Sequence, residues 1–148
     1  MLEHIAKELL QTVERASQRL RTIRGSEPER KPSPEKWSKK EILGHLIDSA
    51  SNNHQRFVRA QYTERLEFPP YAQDEWMRIQ QYNTGDWETM VDLWRLYNRH
   101  LAHVISNIPA HKLATPCQIE SPEPVSLEFL VKDYLDHLKH HLKQLDAL

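Results

Sequence analysis

The sequence predicts an all-α chain, a bundle of four helices, and three observations carry that reading. Glycine is scarce, with 3 in 148 residues, too few for a protein built on tight hairpins. The 9 prolines are confined to three connections: Pro28, Pro32 and Pro34; Pro69 and Pro70; and Pro109, Pro116, Pro122 and Pro124. Proline breaks helix interiors, so four uninterrupted stretches remain, 1–27, 35–68, 71–108 and 125–148. Each of them repeats apolar residues every three or four positions, the signature of a helix with one buried face.

In the first stretch the stripe is Leu2, Ile5, Leu9, Val13, Ala16, Leu20 and Ile23, and Gly25 offers a stop. The second opens with Ser38-Lys39-Lys40-Glu41, a capping box whose Ser and Glu side chains satisfy free backbone N–H groups. Ile42, Leu46, Ala50 and Phe57 share the face behind it. Trp87, Met90, Trp94, Tyr97, Leu101, Val104 and Ile108 keep helical spacing in the third until Pro109 ends it. The fourth starts near Ser126 and turns Leu127, Leu130, Val131, Tyr134, Leu138, Leu142 and Leu145 inward. The expected helices are therefore 2–24, 38–62, 86–108 and 126–147. Four helices of this length, each with one apolar side, bury one another in a bundle. Residues 66–83 read as a loop with a short helical turn, and 109–124 as an irregular surface loop at the rim of a pocket.

Length and composition bound the rest. A chain of 148 residues is expected to form one domain, 1–148, with a core that needs no staples. Lys plus Arg is 20 and Asp plus Glu is 21, a formal net charge of -1. That balance argues against nucleic-acid binding, which runs on a basic face. Cys117 is the only cysteine, which excludes an intrachain disulfide and a cysteine-built zinc site. No apolar run approaches the ~18 residues of a membrane span. The opening MLEHIAKELLQTVERA lacks the apolar stretch of a secretory signal, so a cytoplasmic protein is expected.

Against this ordinary background the 9 histidines are unusual. The last helix carries Asp136-His137-Leu138-Lys139-His140-His141. On a helical wheel His137 and His141 fall within the arc of Leu130, Tyr134, Leu138 and Leu145, whereas His140 falls outside it. Two imidazoles four residues apart stand one above the other, about 6 Å of rise between them, a spacing by which one helix offers two ligands to one divalent ion. The same spacing also fits two partly buried histidines hydrogen-bonded along a helical face, and both readings stand at this point. The best candidate for a third ligand on another helix is His45, which heads a polar column of His45, Ser49, Asn52 and Arg56 with Asp48 beside it. His4, His54, His100, His103 and His111 show no comparable pairing, and His100 and His103, three apart, read as helix-surface residues.

The segment Lys36-Trp37-Ser38-Lys39-Lys40-Glu41-Ile42-Leu43-Gly44-His45-Leu46-Ile47-Asp48-Ser49 resembles the W-S/T-x-x-E/Q-x-x-x-H-L-x-D-S signature of the DinB/YfiT-like superfamily. Asn52, Arg56 and Phe57, the acidic-Trp segment Asp74-Glu75-Trp76, and the terminal Tyr134–His141 stretch with its H-x-x-H-H motif are similar to features of the YfiT-like branch. The resemblance implies a four-helix bundle, often homodimeric, in which His45, His137 and His141 bind one divalent metal and His140 does not. Leu142-Lys143-Gln144 replaces the Arg-Gly-Gln of many members, and Ala50 stands where the YfiT-like branch often has a further histidine.

Three neutral nitrogen ligands leave a metal, zinc or nickel, with open positions and net positive charge. Such an ion acidifies a bound water for hydrolysis, or holds a low-molecular-weight thiol as thiolate for transfer to an electrophile. The second chemistry is what the superfamily's thiol-dependent transferases imply. A metal-dependent enzyme acting on a small molecule is therefore expected, with a non-catalytic, stress-associated metal-binding bundle as the alternative. Asp48 would orient His45 or a water, or act as base, and Asn52 or Arg56 would hold an anionic substrate group. The chain offers no nucleophile of its own, since Cys117 follows Thr115-Pro116 with no helix start or basic cluster beside it. A homodimer is expected on two grounds: the resemblance, and aromatic residues on the third helix (Trp87, Trp94 and Tyr97) that exceed what one small core absorbs.

Overall fold

Each of the four apolar stripes forms a helix in the computed structural model, which describes residues 1–148. They are α1 (Glu3–Arg21), α2 (Lys39–Arg59), α4 (Trp87–Ser106) and α5 (Leu127–Asp146), with a shorter α3 (Gln73–Gln80) in the middle connection. Their starts obey local chemistry. The Ser38–Glu41 capping box closes in both directions, with Glu41 N–H donating to Ser38 Oγ at 3.1 Å and Ser38 N–H donating to Glu41 Oε1 at 3.0 Å. Asp86 and Ser126 cap α4 and α5 through the N–H groups of Thr89 and Phe129. Gly25, with φ of +66°, turns the chain after α1 in a left-handed conformation that costs glycine little. At its far end α2 stops at Arg59, three residues short of the expected boundary.

Around the bundle, α1 and α2 each pack against both α4 and α5. The two pairs consecutive among the long helices, α1/α2 and α4/α5, therefore lie across the bundle from each other. The stripe of α1 is wholly interior from Leu2 to Leu20. Full burial of each such Leu, Ile or Val is worth about 1.5–3 kcal/mol. Trp87 donates its indole N–H to the Leu20 carbonyl at 2.8 Å, satisfying a helix-end acceptor of α1. Tyr134 donates to Asn98 Oδ1 at 2.5 Å, and Asn98 in turn donates to the Trp94 carbonyl at 2.9 Å, so these polar groups of the core are tied off in a chain.

Three expectations are corrected. Residues 66–83 hold the eight-residue α3 and not merely a helical turn. Residues 109–124 are not wholly irregular: β1 (Leu66–Glu67), β2 (Pro116–Gln118) and β3 (Val125–Ser126) form a small sheet in the order β1-β2-β3. β1 pairs parallel with β2, Leu66 opposite Cys117, and β2 pairs antiparallel with β3, Cys117 opposite Val125. Backbone pairing between segments about fifty positions apart leaves no local periodicity to read. The aromatic surplus on the third long helix is also absent. Trp94 is fully buried and Trp87 nearly so within one chain, and the Tyr97 hydroxyl lies 2.9 Å from His54 Nδ1. The apolar side chains that α4 leaves in solvent are Leu93 and Leu96.

Candidate metal centre and its cavity

The capping box at Ser38 fixes where α2 begins and with it the phase that turns His45 inward, two turns later. Unlike an amphipathic surface helix, α2 is buried on all sides from Ile42 to Ala50, because α3 and the turn after it cover the side that α4 and α5 leave open. His45 is 2 % exposed. Gly44, just before it, admits a close neighbour: a Cβ at this position would stand 2.1 Å from the Tyr82 ring. The ring therefore seals α2 where only a glycine lets it approach.

His45, His137 and His141 come together. One ring nitrogen from each lies within 4.8 Å of the others. The Nε2 atoms of His137 and His141 are 3.1 Å apart, close to the ~3.3 Å that separates two nitrogens bound tetrahedrally to one ion at ~2.0–2.1 Å. Gln144 Oε1 lies 2.9 Å from His141 Nδ1. Donation of the Nδ1 proton to it leaves the Nε2 lone pair facing the cluster, the usual way an outer partner sets a ligand's tautomer. Trp37, just outside the capping box, packs its ring 5.1 Å from that of His45 and 6.5 Å from that of His141. His140 is exposed and stands outside the trio.

Burial dominates the electrostatics. It pushes His45 down to about 4, with His141 and His137 adding to the effect. Burial also lowers His137, then His141 lowers it further against the opposing pull of Asp133, and it lowers His141 as well. All three imidazoles are thus neutral at pH 7, the protonation state that ligation requires. Three converging neutral nitrogens, one oriented by Gln144, fit a borderline divalent ion.

The other expected residues separate. Asp48 is buried but makes no hydrogen bond to His45. Its Oδ1 accepts from the Tyr82 hydroxyl at 2.6 Å and from Gln80 Nε2 at 2.9 Å, tying α2 to α3 and the following turn. Asn52 donates its Nδ2 to the Asp48 carbonyl of its own helix at 2.9 Å and is not among the residues that line the cavity described next. Arg56 does line a cavity of about 460 Å³, together with His137, Asp133, Tyr134, Tyr71 and Cys117. Cys117 sits on β2, buried, with its thiol pushed up to about 11 by burial, which disqualifies it as a nucleophile. The sequence reading missed Gln144, Trp37, Tyr82 and Asp133. Of these, Gln144 was readable from its spacing, three positions after His141 and on the same turn.

Comparison with known proteins gives three findings. A family model described as the DinB superfamily matches residues 8–145. No functionally curated protein matches the sequence. Among solved structures, the fold is similar to YfiT from Bacillus subtilis, described as a probable metal-dependent hydrolase with an unusual four-helix bundle topology. The TM-score is 0.82 at 18% identity, over 96% of this chain and 84% of that one.

Proposed function

This chain belongs to the DinB superfamily, and from that premise we propose that it is a divalent-metal-dependent enzyme of hydrolase type acting on a small molecule, with His45, His137 and His141 as the metal ligands. The single observation that carries the reading is the convergence of three neutral imidazoles at a cavity of about 460 Å³ that His137 lines. Zinc and nickel suit such a donor set. A divalent ion held there supplies Lewis acidity, which brings the pKa of a bound water toward ~7. The description of YfiT as a probable metal-dependent hydrolase supports hydrolysis over the alternative in which a low-molecular-weight thiol is the nucleophile.

The chain's own residues do the rest. Gln144 fixes the His141 ring through Nδ1, and Trp37 packs on His45 and His141, which keeps bulk water from that side. Asp133, one turn before His137 on α5, lines the same cavity and is the carboxylate whose charge acts on His137, which places it to take up a proton there. Asp48 acts at one remove, by holding Tyr82 and Gln80 over α2.

The test is a screen of small esters, amides and related acyl compounds on protein stripped with a chelator and then reloaded with Zn²⁺ or Ni²⁺, with and without added thiol. Turnover that needs metal, is lost in His137→Ala and ignores thiol supports the proposal. Turnover that appears only with thiol replaces hydrolysis with transfer. Turnover indifferent to metal overturns both.

A further inference from the structure

Arg56 is a half-buried cation that makes no ion pair, with Glu120 acting on it only at longer range. Lys39 and Lys40, whose side chains are 7 % and 9 % exposed, pair with Glu27 and Glu29. The Arg56 guanidinium pairs with no carboxylate, and its Nε is shut from solvent with no acceptor in the protein. One face lies over the Phe68 ring, 5.4 Å from its centre. That contact recovers part of the cost of removing the charge from water but satisfies none of its N–H groups. The rest of the side chain reaches the cavity that His137 also lines. Tyr71 lines it too, with its phenol pushed up to about 12 by burial, so it keeps its proton as a donor.

Placement adds the geometry. His45 and Arg56 are eleven positions apart on α2, about 16 Å of rise, and helical side chains lean toward the N-terminus, which carries the guanidinium back toward the histidines. The cavity therefore joins two chemistries: His137, the member of the histidine cluster that lines it, and a guanidinium in no ion pair. Glu120, Glu123 and Asp133 also line the cavity. Against a single cation they disfavour polyanions, nucleotides included.

We propose that the cavity takes monocarboxylates, with Arg56 gripping the carboxylate at the end remote from the histidine cluster and an uncharged body lying between them. The placement of the reacting bond rests on the functional reading above; the binding does not. The monodentate or forked contact available to a guanidinium suits a carboxylate, and it would be made by the part of the Arg56 side chain that faces the cavity.

The experiment is an NMR titration of chelator-treated protein with hexanoate, hexanamide and adipate, on wild type, Arg56→Lys and Arg56→Gln. Without metal, the result is independent of whether the histidines bind an ion, so the two proposals fail separately. Wild type is expected to bind hexanoate at least about tenfold more tightly than hexanamide, the margin typical of a charged hydrogen bond, and more tightly than adipate. Arg56→Gln should erase the preference for hexanoate over hexanamide, and Arg56→Lys should keep part of it. Equal binding of hexanoate and hexanamide by wild type would overturn the proposal, as would an unchanged preference in folded Arg56→Gln. Adipate binding as tightly as hexanoate would overturn the single-charge restriction. Should Arg56→Gln fail to fold, the hexanoate-to-hexanamide ratio on wild type decides alone.

Discussion

Acidification should unfold the metal-free protein through His45. The imidazole is 2 % exposed and is held down to about 4 from an ordinary 6.5, first by burial and then by His141 and His137. Between those two values the unfolded chain binds a proton that the folded one refuses. Stability is therefore intact above pH 6.5 and falls as the pH drops toward 4. A tenfold difference in proton affinity corresponds to about 1.4 kcal/mol, so this one side chain accounts for roughly 2 kcal/mol lost by pH 5 and about 3 kcal/mol by pH 4. For a domain whose total stability is typically about 5–15 kcal/mol, that is a large fraction. The assay is urea unfolding followed by circular dichroism in the presence of a chelator, at pH 7.5, 6.0 and 5.0, on wild type and His45→Asn. The variant has its own baseline cost, which the comparison of slopes removes. Wild type should lose about 2 kcal/mol more than the variant between pH 7.5 and 5. Parallel slopes would refute the claim that His45 is folded as a neutral, desolvated imidazole. Added Zn²⁺ should steepen the wild-type dependence, because protons and metal compete for the same nitrogens.

Other perturbations test the surroundings. Gly44→Ala puts a methyl group 2.1 Å from Tyr82; it should cost about 1–3 kcal/mol as overpacking in a thermal melt, with the Tyr82 ring resonances shifted in NMR spectra as the ring is displaced. Tyr134→Phe strips Asn98 Oδ1 of its donor and should cost about 1–3 kcal/mol in urea unfolding without changing metal stoichiometry. Gln144→Ala releases the His141 ring and should weaken metal affinity about 10–100-fold by calorimetry while leaving the fold intact.

The legible part of the molecule is the part governed by short-range rules. The stripes on α1 and α5 follow a 3.6-residue period, the Ser38–Glu41 box closes within four residues, and the helical phase that separates His137 and His141 from His140 needs only the spacing. What escaped is set by neighbours distant in sequence. Lys39 and Lys40, two charged residues inside the capping box, lie buried against Glu27 and Glu29. Asp48 sits beside His45 on the helical wheel, yet its carboxylate is claimed by Tyr82 and Gln80 from a segment more than thirty residues on. Cys117 pairs with Leu66 through backbone alone, to which side-chain pattern is blind. Asn52 shares a face with His45 and Arg56, but a carbonyl of its own helix takes its amide first.

The sharpest probe of the three-histidine centre is X-ray absorption at the metal edge on protein reconstituted with Zn²⁺, alongside equilibrium counting of the bound ion. The expected result is one ion per chain with imidazole nitrogens at ~2.0–2.1 Å, binding abolished in His137→Ala and in His141→Ala and largely retained in His140→Ala. A spectrum without histidine scattering, or an ion kept by His137→Ala and lost by His140→Ala, would contradict it.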